Sequence, residues 1–291
     1  MGFGVWTLGR HPEEFSVRFP RRAVAVGAAL VFMLAGSVSY AFAASTITKA
    51  SSGGWYTCSH DGHANVEDYM DVRDNGGQPM CIGSYNFGDN FTVKSSSVNR
   101  YWADFPNIYR GCEQDGNLPQ LCTSGYTPLQ ASSIKKDVSS VSYSMPKGFV
   151  GNSAYDIWFN KKGGTPSGHD NGAEVMIWLG ARGMAPGYTN KVYIDGIWWG
   201  YDTWNSGVNT SAPWHYIRFW RLSNNASGKV SLNLIPFFTY AERAGRLSSS
   251  WYLTGTEYGF ETCKDGAGLT VQSYIDDLVG PPPLLGKLKN K

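Results

Sequence analysis

The chain has 291 residues, 25 Lys and Arg against 23 Asp and Glu, and only 16% charged residues beside 14% aromatics and 35 Gly. So little charge with so many aromatics excludes a disordered chain, and so much glycine excludes a helix-rich one. What remains is a sheet protein with many turns and one sizeable core, whose abundant Trp and Tyr suit stacking on sugar rings.

The N-terminus reads as an export signal. Arg21-Arg22 precede an apolar run from Ala23 to Leu34, and small residues lead to Ala41-Phe42-Ala43, an A-x-A site with cleavage before Ala44. The run is short for a membrane span, so residues 1–43 are expected to be removed and the protein to be secreted, extracellular and free of the membrane. Removal takes away four arginines and two glutamates and leaves 21 basic and 21 acidic residues, which gives no electrostatic case for nucleic acid. Five cysteines remain. Export makes disulfides expected, and the simplest local pairs, Cys58–Cys81 and Cys112–Cys122, leave Cys263 as a thiol. With no C-x-x-C and no H-x-x-x-H pair, no metal site is expected.

Residues 44–54 form a polar leader. From 55 to 150, short β-prone runs such as Phe91-Thr92-Val93 and Ser139 to Tyr143 alternate with Gly, Asn, Asp and Ser turns. Phe105 to Cys112 reads as an irregular loop tied down by a disulfide. Ala154-Tyr155-Asp156-Ile157-Trp158-Phe159 is a strand with Ala154, Asp156 and Trp158 on one face. A Gly-, Asp- and Asn-rich turn leads from it to Ala173–Gly180, so the two runs are expected to be antiparallel neighbours with Asp156 beside Glu174. In the second run Val175, Ile177 and Leu179 form an aliphatic face, while Glu174, Met176 and Trp178 form the other. An acid in mid-strand is expensive to bury, and is best tolerated where a sheet opens into a groove.

Further strand runs are expected over Lys191–Trp204, Tyr216–Trp220, Trp251–Glu261 and Leu269–Leu278. Leu234–Leu247 is the one helix candidate, with apolar spacing near three to four and Gly245 near its end. The tail, 281–291, opens on three prolines and reads as disordered. One domain, 55–280, with many short strands, a single late helix and no βαβ rhythm, points to a jelly-roll sandwich.

A glycosidase needs two carboxyl groups across the scissile bond. Glu174 is the first candidate; Glu257 and Glu261 share a strand face, and spacing alone does not choose between them. No G-x-S-x-G elbow, phosphate loop or dinucleotide fingerprint is present.

Three segments carry a resemblance. Ala154 to Trp158 is similar to AYDIW, Glu174 to Leu179 to E-I/L-M-I-W-L/F, and Tyr252 to Glu261 followed by Gly266 to Leu269 to YLTSIQAGFEPWxGGxGL. Weaker likenesses are FPNIYRGC at Phe105–Cys112 and the Gly196–Trp199 run. In this order they resemble glycoside hydrolase family 12, the secreted β-1,4-glucanases and xyloglucanases. The resemblance implies an all-β jelly roll of two curved antiparallel sheets with one outer helix. It further implies retaining hydrolysis of β-glucan without a cofactor, by a monomer. It assigns Glu174 as nucleophile, Glu261 as acid/base, Asp156 as the partner orienting the nucleophile and Met176 as a sugar neighbour, and it places Glu257 on a Gln position. Two aromatics of the family are missing. Gly77 stands where a Trp follows the residue matched by Asn75, and Thr262-Cys263 replace the Pro-Trp after the acid/base. Asn75, Trp102, Trp178 and Trp199 are then the expected substrate contacts, with Trp204 and Trp214 as further compensating aromatics.

Overall fold

The structure is a computed structural model that describes residues 48–49, 55–59, 68–73, 80–82, 86–113, 121–123, 126–163, 172–185, 187–206 and 213–281. The expected signal, most of the leader, Asn75 and the tail beyond 281 lie outside the described residues. For Trp102, Cys58, Cys81, Cys112 and Cys122 the strand placement is described and the side chain is not.

In chain order the strands are β1 (Thr48–Lys49), β2 (Trp55–Ser59), β3 (Asp68–Arg73), β4 (Met80–Ile82), β5 (Asn86–Gly88), β6 (Asn90–Ser96), β7 (Asn99–Asp104), β8 (Asn107–Glu113), β9 (Leu121–Cys122), β10 (Leu129–Gln130), β11 (Lys136–Ser144), β12 (Val150–Asn160), β13 (Ala173–Arg182), β14 (Asn190–Ile194), β15 (Ile197–Ser206), β16 (Trp214–Arg221), β17 (Ser227–Asn233), β18 (Tyr252–Lys264) and β19 (Thr270–Val279), with one helix, α1 (Ile235–Arg243), between β17 and β18. Seven of them make a first sheet in the order β1-β2-β3-β6-β19-β11-β17. The second follows β14-β15-β16-β13-β12-β18-β8-β4-β5, with β7 and β10 against β18 and β9 against β8. This is the expected all-β jelly roll.

One pairing departs from the expected antiparallel plan: β13 and β16 run parallel. The hairpin β14–β15 lies between them in sequence, and β16 turns back along β15, so it meets β13 in the same direction.

The aliphatic face of β13 does what its pattern predicts. Val175, Ile177 and Leu179 are fully buried in a core shared with Phe91 and Val93 of β6, Val141 and Tyr143 of β11 and Val271 of β19. At one end Phe260 sits edge-on to Phe91 and Phe149 at centroid separations of 6.1 and 6.5 Å. At the other, α1 closes the sandwich: Phe237 packs edge-on to Trp199 at 5.0 Å and to Phe219 at 5.1 Å, and Phe238 to Phe159 at 4.9 Å. Each such pair contributes about 0.5–1.5 kcal/mol beyond the area it buries.

Four details differ from the sequence reading. The segment from Phe105 to Cys112 is mostly strand β8, not a loop; Ile108 and Tyr109 are both buried, so no period-two alternation marks it. Lys191–Trp204 is two strands, because Asp195 and Gly196 take positive φ values of 50° and 77° and turn the chain into a tight hairpin. β17 gives little signal, since only Val230 and Leu232 of its seven residues are buried. α1 ends at Arg243, four residues short of Leu247. Gly245 takes the left-handed conformation (φ 68°) and the amides of Gly245 and Arg246 bond back to Glu242 and Ala241, a glycine-terminated helix end.

Candidate active site

The other face of the second sheet carries the acids. β12 and β13 form the expected hairpin, with Trp158 opposite Glu174 and Asp156 opposite Met176. On its far side β12 pairs with β18, placing Asp156 opposite Glu257 and Asn152 opposite Glu261. Beyond β13, Tyr216 of β16 lies opposite Glu174 and Arg218 opposite Met176; β15 then adds Trp204 beside Tyr216 and Asp202 beside Arg218. Side chains alternate along strands, so all of these project from the face turned away from the first sheet. Glu174 and Glu261 flank different levels of β12. Between those levels the register of β12 with β13 shifts by one residue at Leu179, and the charge of Glu261 acts on Glu174.

Glu174 is 6% exposed. Burial pushes its pKa well above the usual carboxylate range, the neighbouring Asp156 pushes it further, and the indole N–H of Trp214, which donates to Oε2, pulls it back. Asp156 also hydrogen-bonds Glu174 directly. Two carboxyl oxygens make that bond only when one carries a proton, which is the direction in which Asp156 moves Glu174. Glu261 is half-buried, and its Oε2 accepts from Nδ2–H of Asn152. Burial raises its pKa to about 7, against the lowering effects of Asn152 and of the Arg218 charge. A carboxylic acid on this face is therefore still partly protonated at neutral pH, beside a second acid that burial and Asp156 also raise and that the Trp214 indole alone draws back.

Around the acids lies an apolar floor. Ala154, Met176, Trp178 and Tyr216 are buried together, with Met184, Trp214 and Trp220 packed at their edge. The Met176 sulfur accepts from the indole of Trp178 at 2.9 Å and from the Tyr216 hydroxyl at 2.8 Å. Trp158 and Trp214 meet edge-on at 5.8 Å, and Trp204, 39% exposed, lies on Tyr216 at 3.9 Å.

Of the residues expected from sequence, Glu174, Asp156, Met176, Trp178 and Glu261 share this face. Trp199 does not. It is fully buried on the core side of β15, donates its indole N–H to the Ile194 carbonyl at 3.2 Å and packs on Phe237. The alternation that exposes Trp198 and Trp204 turns Trp199 inward. Glu257 lies on the face but is 4% exposed and accepts from Nδ2–H of Asn107 at 3.0 Å. Cys263 is a buried thiol. Cys112 stands directly opposite Cys122 in the β8–β9 pair, whereas Cys58 lies in the first sheet and Cys81 in the second. Asn152, Tyr216, Arg218 and Asp202 were not anticipated as site residues. Extending the alternation of Ala154 and Asp156 back by two positions would have found Asn152, and the even positions of Trp214–Trp220 would have found Tyr216 and Arg218. Among the described residues no group of three or more His, Cys, Asp and Glu is placed to hold a metal ion.

Residues 79–278, more than half of the chain, match Glycosyl hydrolase family 12, and the chain belongs to that family. It is 30% identical over 150 residues to Endoglucanase S of Pectobacterium parmentieri, which covers 48% of this chain and 55% of that protein. It is 35% identical over 130 residues to the Xyloglucan-specific endo-beta-1,4-glucanase A of Emericella nidulans, covering 43% and 51%. The chain thus spans about half the length of these two relatives. Endoglucanase cel12A from Rhodothermus marinus shares the fold, with a TM-score of 0.60 and 24% identity over 81% of this chain and 97% of that one.

Proposed function

We propose that the protein is a secreted, retaining endo-β-1,4-glucanase acting on soluble or amorphous β-glucan. The observation that carries this reading is the placement on one sheet face of the hydrogen-bonded Glu174–Asp156 pair, into which Trp214 donates, and of Glu261, whose pKa is raised to about 7. In the retaining reaction Glu174, ionised at the expense of Asp156, attacks the anomeric carbon. Glu261 gives its proton to the departing glycosidic oxygen, and the sugar is left esterified on Glu174. Glu261, now a carboxylate, then takes a proton from the water that releases the sugar. Asp156 keeps its proton while Glu174 is esterified and shares it again with the Glu174 carboxylate once water has released the sugar. Trp158, Trp204 and Trp214 supply the stacking surface for pyranose rings, in place of the aromatics missing at Gly77 and Cys263.

Secretion rests on the Arg21–Ala43 signal pattern, and a Cys112–Cys122 disulfide is supported by the direct opposition of the two residues. Opposed residues on paired strands lie within disulfide reach. Xyloglucan is the second substrate to test, because a relative and a structural neighbour with a TM-score of 0.58 carry that name.

The test is release of reducing ends from carboxymethylcellulose, barley β-glucan and xyloglucan, with Glu174→Gln alongside. Wild type faster than the variant on one or more of these supports the reading and ranks the substrates. Equality on all three defeats it and leaves a glucan-binding jelly roll.

A further inference from the structure

Arg218 is a cation on a face otherwise lined with acids and indoles. Its side chain is only 14% exposed. The guanidinium forks onto Asp202, donating from Nε to Oδ1 at 3.2 Å and from Nη2 to Oδ2 at 2.7 Å, and Nη2 also donates to the Gly187 carbonyl at 2.9 Å. Its carbon centre lies 4.7 Å from the centroid of the Trp178 ring and 5.5 Å from that of Trp204. One planar ion is therefore held by a bidentate carboxylate while it touches both the indole on the nucleophile's own strand and the exposed indole beside Tyr216. Lysine, a point charge on a flexible stem, would not reproduce the fork or the stacking.

We propose that Arg218, oriented by Asp202, is a positioning residue of the active face: it fixes Trp178 and Trp204 and keeps a permanent positive charge beside the carboxyl groups. The proposal rests on the hydrolase reading above. The groups around Glu261 define what that charge does. Glu174 faces from β13, Asp156 from β12, Tyr216 and Arg218 from β16 and Asp202 from β15, with Glu257 on its own strand. Among the described residues Arg218 is the one cation in that set, and its charge opposes burial at Glu261 and at Tyr216. Asp202 neutralises part of it. The two members of the pair must therefore act on Glu261 in opposite directions.

The test is a carboxyl carbon NMR titration of the whole protein, with the Glu261 signal identified by its loss in Glu261→Gln. Arg218→Gln should move the Glu261 midpoint upward by about one pH unit, and Asp202→Asn should move it downward. Arg218→Lys should leave the midpoint within a few tenths of wild type, yet raise KM for β-glucan several-fold with kcat held, because the charge survives and the stacking does not. Midpoints that stay fixed, or that move the same way in Arg218→Gln and Asp202→Asn, overturn the proposal. If Arg218→Gln does not fold, the Asp202→Asn and Arg218→Lys arms still decide it. The titration needs no turnover, so a protein inactive on every glucan would defeat the hydrolase reading and leave the electrostatic result standing.

Discussion

Two close pairs of carboxyl groups lie on opposite sides of the second sheet. On the outward face are Glu174 and Asp156. On the core side are Asp137 of β11 and Asp276 of β19, 0% and 1% exposed, which also meet as a carboxyl–carboxylate pair. Both sites have an arginine: Arg218 on the face, and in the core Arg110, which donates to the Asp276 carbonyl at 2.6 Å and lies 4.0 Å from its carboxylate. Burial raises both Asp137 and Asp276, the latter to about 6. A raised carboxyl pKa is therefore not the mark of catalysis in this molecule. What distinguishes the face is a third acid, Glu261, half-buried on the neighbouring strand, together with indole and amide donors aimed at the carboxylates and indole rings beside them.

Removing one carboxyl from each pair is the strongest test of that distinction. Glu174→Gln should lower the rate of reducing-end release by at least ~10³-fold, with the folded state intact. Asp137→Asn removes a carboxyl that is also buried and also raised, and activity near pH 6 should stay within about threefold. If the core substitution inactivates the folded protein as fully as the face substitution does, the two pairs are not functionally separate. One step smaller, Glu261→Ala should cost about 10²–10⁴-fold on polymeric glucan, and azide should restore part of the turnover of an activated aryl glycoside. Glu257→Ala, which removes an acid already bonded to Asn107, should lose far less.

The face was more legible in the sequence than the core pair, and the reason is physical. The alternation of Glu174, Met176 and Trp178 against Val175, Ile177 and Leu179 announces an acid on a two-sided strand, and the AYDIW and GFE segments supply its companions. Asp137 and Asp276 carry no such signal. Each sits near the end of a strand where an acid is ordinary, and only the register, with Asp137 opposite Leu278 and Ser139 opposite Asp276, makes them diagonal neighbours. Local pattern also misplaced what tertiary packing decides. β8 is buried on both faces and lost its alternation, and the parallel β13–β16 contact depends on where β14–β15 folds back, which no local feature of β16 records.

The pairs should also separate by pH. Glu261 must enter the reaction protonated, so activity should fall on the alkaline side around pH 7. For stability the sign is set by the raised folded values. Asp276 goes from an ordinary 3.8 to about 6, so its contribution is fully present below about 4 and is lost as pH rises through 6. A shift of that size corresponds to about 2–3 kcal/mol, on the order of a 5 °C fall in Tm between pH 4.5 and 8 for a chain of this length. Glu261 adds to the same fall at a slightly higher pH. Asp276→Asn should flatten the Tm profile around pH 6 without moving the alkaline limb of activity, and Glu261→Gln should leave the Asp276 component of the Tm profile in place. A Tm that rises steadily from pH 4.5 to 8 in the wild type would contradict the sign.

The smallest effects separate the two sides of a single strand. Trp199 and Trp204 both lie on β15, five residues apart, so alternation sends them to opposite faces. Trp199 fills the core against Phe237 and holds the Ile194 carbonyl, and Trp204 is 39% exposed on Tyr216. Trp199→Phe leaves a cavity and strips that carbonyl of its donor, so it should cost about 2 kcal/mol in denaturant unfolding, with KM for β-glucan unchanged. Trp204→Ala should cost under about 1 kcal/mol in unfolding, because it empties no core site, yet raise KM roughly threefold to tenfold as a stacking surface is lost. The double variant should show the sum of the two losses, each in its own measurement, since the side chains share no contact across the strand. A Trp199→Phe protein that binds glucan several-fold more weakly at full stability would instead mean that this indole communicates with the groove through β15, and the inside–outside division of the strand would fail at the point where it is drawn most sharply.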